Sequence, residues 1–242
     1  MRKLKYLSAF SRFLQTTALL LSASYAAAVV NSTQSRLVFN EDSVAETLVL
    51  VNSHRAPALV QVWIDDNDPL ALPENISTPL VAVPPVFKLG PGESRNLRVM
   101  LSSRQGLPTD RERVYWLNIY QFPPNTESDG AKVNKVILPL RIRLKVFVRP
   151  HGLKAPEEEI GKSLTFTFKN DGKQNQTMTI TNPTPYNITL GGLSLGGNPL
   201  IPKMIAPKSS IDIAVPPSSN RRQLSWSVID DFGAQKTYQR QL

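Results

Sequence analysis

Between residues 135 and 149 apolar and polar positions alternate almost without a break. Val136, Leu138, Leu140, Ile142, Leu144, Val146 and Val148 take the even positions. Lys135, Arg141, Arg143, Lys145 and Arg149 dominate the odd ones, interrupted by Ile137, Pro139 and Phe147. Successive side chains of a strand point to opposite faces, so this pattern predicts one long strand carrying a continuous apolar stripe. At about 3.3 Å per residue it would reach roughly 50 Å, well beyond the usual strand of about five or six residues. A sandwich core sized to ordinary strands leaves part of such a stripe uncovered, and the surplus needs another surface. Pro139 has no N–H and belongs on a sheet edge. A long, exposed, apolar edge is an invitation to pair with another chain, which points to an intended partner; the alternative is an ordinary long core strand with a protruding hairpin.

Shorter runs of the same kind fill the rest of the chain. Val44 to Asn52, Leu59 to Asp65, Ser94 to Leu101 and Val114 to Gln121 read as strands. Turn residues separate them at Asp65-Asp66-Asn67-Asp68-Pro69, Leu89-Gly90-Pro91-Gly92 and Leu107-Pro108-Thr109-Asp110. Arg149-Pro150-His151-Gly152 closes this set, and Ala155-Pro156-Glu157-Glu158-Glu159 forms a polar, turn-like link. A second set follows: Ser163 to Phe168, Thr177 to Thr181, Tyr186 to Leu190, Ser210 to Val215 and Gln223 to Ile229. With 20 prolines and 12 glycines spaced through the chain, long helices have no room. The pattern predicts an all-β fold of two tandem β-sandwiches, over 29–149 and 150–242, joined by a link too short and stiff to be a free tether.

The amino terminus is different. Arg2, Lys3, Lys5 and Arg12 precede an apolar stretch from Ala18 to Ala28, and no acid appears before Glu41. Positive start, short apolar core and small residues at Ala26-Ala27-Ala28 describe a secretory signal peptide over 1–28, with Ser24-Tyr25-Ala26 as a rival cleavage point. Gln15, Thr16 and Thr17 interrupt the apolar run before it reaches the roughly 18 residues a membrane span requires. Export would place the protein where disulfides form, yet it has no cysteine, so stability rests on buried apolar area. The formal charge of +9 loses four cations with the leader; the remainder favours solubility and acidic partners without identifying nucleic acid.

Catalytic and metal motifs fare poorly. Gly192-Leu193-Ser194-Leu195-Gly196 matches the nucleophile-elbow spacing, but that elbow needs a following helix and a later histidine. Gly197-Asn198-Pro199 opposes a helix, and the two histidines, His54 and His151, lie upstream; a glycine-rich hairpin loop is the simpler reading. Asp66 and Asp68 suggest a calcium loop, but Ala71 and Ser77 stand where glycine and glutamate are required. Asn31, Asn75, Asn175 and Asn187 head glycosylation sequons that matter only in a eukaryotic secretory route. Arg141, Arg143, Lys145 and Arg149 alternate with apolar residues and lack a stacking aromatic set, which argues against nucleic acid. No cofactor and no metal site is expected.

Several stretches, in order, carry a resemblance. They are Ser35-Arg36-Leu37-Val38-Phe39, Pro84-Pro85 before Leu89-Gly90-Pro91-Gly92, and Leu107-Pro108-Thr109-Asp110-Arg111-Glu112. Asn118 with Phe122-Pro123-Pro124, Lys145-Val146-Phe147-Val148-Arg149-Pro150, Asn182-Pro183-Thr184-Pro185-Tyr186 and Ile229-Asp230-Asp231-Phe232-Gly233 complete the set. Together they resemble the PapD-like periplasmic chaperones of the chaperone–usher pathway for pilus assembly, over essentially the whole mature chain.

That resemblance implies two immunoglobulin-like sandwiches set as a boomerang, in the periplasm. It implies pilus (fimbrial) subunits as partners, donor-strand complementation as the mode of binding, and delivery to an outer-membrane usher. Val136, Leu138, Leu140 and Ile142 would be the donor-strand anchors, and four such side chains represent on the order of 6–12 kcal/mol of gross burial before ordering costs. Arg36 and Lys145 match the pair that holds the subunit's terminal carboxylate, and Glu112, Arg149 and Asp231 match an interdomain ion-pair set. Pro139 departs from an uninterrupted donor strand by removing one main-chain donor. The alternative is a secreted structural or adhesive immunoglobulin-like surface protein, such as a pilin. Which subunit is served, and whether the empty protein caps itself as a dimer, stay open.

Overall fold

The structure is a computed structural model that describes residues 30–122, 139–170, 176–216 and 223–242. Nine strands build the first half: β1 (Val30–Ser32), β2 (Arg36–Phe39), β3 (Ala45–Asn52), β4 (Ala58–Asp65), β5 (Leu80–Val83), β6 (Val86–Leu89), β7 (Ser94–Leu101), β8 (Arg113–Phe122) and β9 (Leu140–Val148). They form two sheets, β1-β3-β7-β5 and β2-β9-β8-β4-β6. The chain changes sheets between its first two strands, because β1 pairs antiparallel with β3 while β2 pairs parallel with β9.

Period-two patterning explains which face each strand buries. Leu48 and Leu50 of β3, Leu97 and Val99 of β7, and Val60, Val62 and Ile64 of β4 point inward. Leu117 and Ile119 of β8 and Val146 and Val148 of β9 join them in one apolar core. The polar partners between them face out.

The second half repeats the plan with β10 (Thr165–Asn170), β11 (Gln176–Asn182), β12 (Ile188–Leu195), β13 (Asn198–Pro199), β14 (Met204–Ile205), β15 (Ser209–Val215), β16 (Gln223–Ile229) and β17 (Gln235–Gln241). Its sheets are β10-β11-β15 and β13-β12-β16-β17, with β14 also on β12. Its core is separate, built on Met178, Ile180, Ile188, Leu195, Leu224 and Trp226. Two buried asparagines do matching work at the corners. Asn52 donates to the carbonyls of Ala56 and Leu89, and Asn182 to those of Tyr186, Ile205 and Ala206. Each holds a turn that has no ladder of its own.

Some elements differ from the sequence expectation. Residues Ile160–Ser163 form a short 3-10 turn, so the strand expected from Ser163 starts at Thr165. Gly192 to Leu195 lie on β12 beside a bulge at Leu190/Gly192, and the turn itself is Gly196-Gly197 with φ of 57° and 84°. The segment is thus strand followed by turn rather than a loop. β2, β5, β6 and β17 are strands that periodicity did not mark. β2, β5 and β6 are only 4 residues each, and β17 carries a single buried apolar residue, Tyr238. Such pieces are specified by the neighbour they pair with, not by their own pattern.

Candidate functional site

β9 has two neighbours over only part of its length. On one side it pairs with β8 from Leu140, opposite Gln121, to Val148, opposite Arg113. On the other, β2 covers only Lys145 to Val148. Among the described residues, Leu140 to Leu144 therefore keep one edge unpaired. In an antiparallel ladder alternate residues turn N–H and C=O away from the partner, so this edge offers a short row of free donors and acceptors. Burial falls along the strand in the same direction. Val146, Phe147 and Val148 are buried, Leu144 and Ile142 lie half-covered against the core, and Leu140 is 41% exposed. Val136 and Leu138, with the first part of the long strand expected from Lys135, lie outside the described residues. Exposed Pro139 immediately precedes the strand.

Two cations stand where the free edge ends. Arg36 opens β2 and sits in register with Lys145 of β9. Arg36 is buried; its Nη1 donates to the carbonyl of Ile229 at 3.1 Å, and its Nε has no partner among the described residues. Burial lowers the guanidinium pKa from its ordinary value, against the pull of Asp231, Asp230 and Glu112. Lys145 is also lowered, first by burial and then by the Arg36 charge, and its Nζ lies 5.0 Å from the centroid of Trp116. Neither cation makes an ion pair among the described residues. Two half-dry like charges side by side form a site that an anion would relieve.

The other cations of β9 are already engaged. Arg143 holds Asp65 through both oxygens, at 2.7 and 3.0 Å, and Arg141 donates twice to Asn118 Oδ1, at 2.9 and 2.6 Å. Their guanidiniums cover Trp116 and Trp63.

Arg149 ties the halves together. Its Nε donates to Glu112 at 3.1 Å and its Nη2 to Asp231 at 2.7 Å. Glu112 also accepts from the backbone and side chain of Asn187, while its N–H donates to the carbonyl of Pro185. Gly233, at φ 86°, brings its loop against Ser35, where a Cβ would meet Oγ at 2.7 Å. Behind Arg36 an open cavity of about 570 Å³ between the halves is lined by Val38, Tyr186, Ile188 and Phe232, among others.

Sequence reasoning gave Asp65, Asn118, Asn187, Trp63 and Trp116 no place in the candidate site. Asp65 and Asn118 are fully buried although they sit on outward positions of their strands. A polar residue at an outward position reads as solvated, and only the side chains laid over it reveal otherwise.

Residues 29–154 match the family described as pili and flagellar-assembly chaperone, PapD N-terminal domain, and residues 159–240 match the pili assembly chaperone PapD, C-terminal domain. The chain belongs to the PapD family of pilus-assembly chaperones. It is 35% identical over 215 residues to the Bordetella pertussis chaperone protein FimB/FhaD, across 86% of this chain and 85% of that one. It is 32% identical to the probable fimbrial chaperone YadV of Escherichia coli K12, across 88% of each. Among solved structures of this family, the Pseudomonas aeruginosa CupB2 chaperone aligns with a TM-score of 0.70 at 28% identity, covering 88% of this chain and all of that one. The crystal structure of the YadV chaperone aligns at 0.72 and 26%, covering 89% and 100%. Among the described residues no helix is long and apolar enough to cross a membrane.

Proposed function

We propose that this PapD-family chaperone acts in the periplasm, after export directed by residues 1–28. There it captures pilus subunits, lends them a strand in trans and passes them to an outer-membrane usher. It performs no bond chemistry in this role. The observation that carries the reading is the unpaired edge of Leu140 to Leu144, ending at Arg36 and Lys145. A partner strand added there would gain main-chain hydrogen bonds from β9 and side-chain burial on the stripe that runs back through Ile142, Leu140, Leu138 and Val136. Ile142 already rests on the chaperone's own core, so Leu140 is the exposed anchor among the described residues. If the added strand runs parallel to β9, its carboxyl end falls at the two cations. Charge-assisted hydrogen bonds there would fix register, and a slip by one residue would turn every anchor to the wrong face.

Co-expression with subunits encoded alongside the chaperone tests the reading. Lys145→Ala is expected to abolish recovery of the chaperone–subunit complex while the isolated chaperone keeps its unfolding midpoint. Full recovery with the alanine variant removes Lys145 from the anchor.

A further inference from the structure

The half of β9 that lacks a second neighbour among the described residues is also the half whose outward side chains are tied down. Asp65 is the last residue of β4, two strands away from β9, and is completely buried. Both of its carboxylate oxygens accept from Arg143 Nη2, and one also accepts from the Asn118 amide at 2.6 Å. Asn118, on β8 between them, is equally buried and returns its Oδ1 to Arg141 and, at 3.2 Å, to Arg143 Nε. Arg141 reaches on to the carbonyl of Pro69 in the loop after β4. Trp63 and Trp116 lie beneath the two guanidiniums, with centroids at 4.9 and 4.7 Å. The result is one polar clamp spanning β4, β8 and β9, attached to β9 at residues 141 and 143 and absent from the stretch that β2 covers.

An edge strand held by one ladder alone opens locally at low cost, and a frayed edge is a poor template for a partner. Guanidiniums seated on a buried carboxylate and amide do not leave without stranding those groups unpaired, a change far costlier than losing a surface pair. We infer that Asp65 is a positioning residue that holds the unpartnered half of β9 in the sheet before any subunit arrives. It acts directly through Arg143 and through Arg141, whose Nη2 lies 3.7 Å from Asp65 Oδ2, and by way of Asn118, which holds both guanidiniums. The clamp also draws both guanidiniums toward β4, away from the free edge, leaving Arg36 and Lys145 as the cations that face an incoming carboxylate. This inference rests on the proposed strand donation for its purpose, but its physical content concerns the free protein.

Hydrogen exchange on the intact, empty chaperone tests it. Asp65→Asn keeps the shape and removes the charge, and Arg143→Lys keeps a charge but loses the fork, so one serves if the other misfolds. In either variant the amides among residues 140–144 that donate to β8 are expected to exchange about tenfold faster or more, while 146–148 and β11 exchange as before. Subunit capture is expected to slow in association, with little change in dissociation. Arg95→Lys, at an exposed pair with Glu93, is the control that should alter neither. Unchanged exchange at 140–144, or equal acceleration everywhere, overturns the inference. Failure of the unaltered chaperone to capture any subunit would instead strike the strand-donation reading and leave the exchange result standing.

Discussion

Lys145 and Arg36 show how burial changes cations that a strand would otherwise hold in water. A lysine exposed on a strand keeps its proton and its water; Lys145 loses part of its hydration and gains Arg36 as a neighbour, and both effects make the proton easier to remove. The sign matters for capture. In the proposed capture Lys145 would hold a carboxylate only as a cation, and it becomes neutral as pH rises through a value below the ordinary 10.5. Subunit binding is therefore expected to weaken on the alkaline side before a normal lysine would titrate, with proton uptake on complex formation. Binding measured across the alkaline range checks this, and Lys145→Arg is expected to retain affinity there because a guanidinium keeps its charge. A profile identical for both proteins would show that the lysine's proton plays no part.

At the level of the element, β9 is two strands in one. From Lys145 to Val148 it is interior, flanked by β2 and β8; from Leu140 to Leu144 it is an edge among the described residues. Substitutions should divide along that line. Val146→Ala removes a fully buried side chain and is expected to cost about 2 kcal/mol of stability in urea unfolding. Leu140→Asp alters a side chain that is already 41% exposed. It is expected to shift stability by no more than about 0.5 kcal/mol while sharply lowering subunit recovery. Loss of stability in both, or of recovery in neither, would contradict the division.

For the whole molecule, the junction depends on a few buried charges. Arg149 is 1% exposed and has carboxylates from both halves, Glu112 and Asp231, on its fork. Arg149→Met would leave Glu112 buried without its cation, a change expected to cost about 3–5 kcal/mol. Glu112→Gln in the same chain should return part of that loss. Denaturant unfolding of the single and double variants checks both statements, and additive losses would mean the two residues do not act as a pair. The separate cores suggest where the weakness would appear: with the junction loosened, the halves should unfold in two steps.

Much of this architecture is legible in the sequence, and the reason is local. Period-two alternation requires only that one face be wet and the other dry, so β3, β4, β7, β8, β11, β15 and β16 could be marked within a residue or so. The resemblance that proposes roles for Arg36, Lys145, Glu112, Arg149 and Asp231 was also visible, because the motifs keep their order along the chain. What the tertiary structure alone decided involves residues distant in sequence. β2 begins its cover of β9 at Lys145, which leaves the five residues before it with one side unpaired among the described residues, and no pattern within 140–144 encodes that. Asp65, Asn118, Arg141 and Arg143 come from three strands and converge through side-chain reach across the sheet. Alternation tells which face a residue occupies; which side chains lie over it depends on strand order, and that order exists only once the sheet has formed.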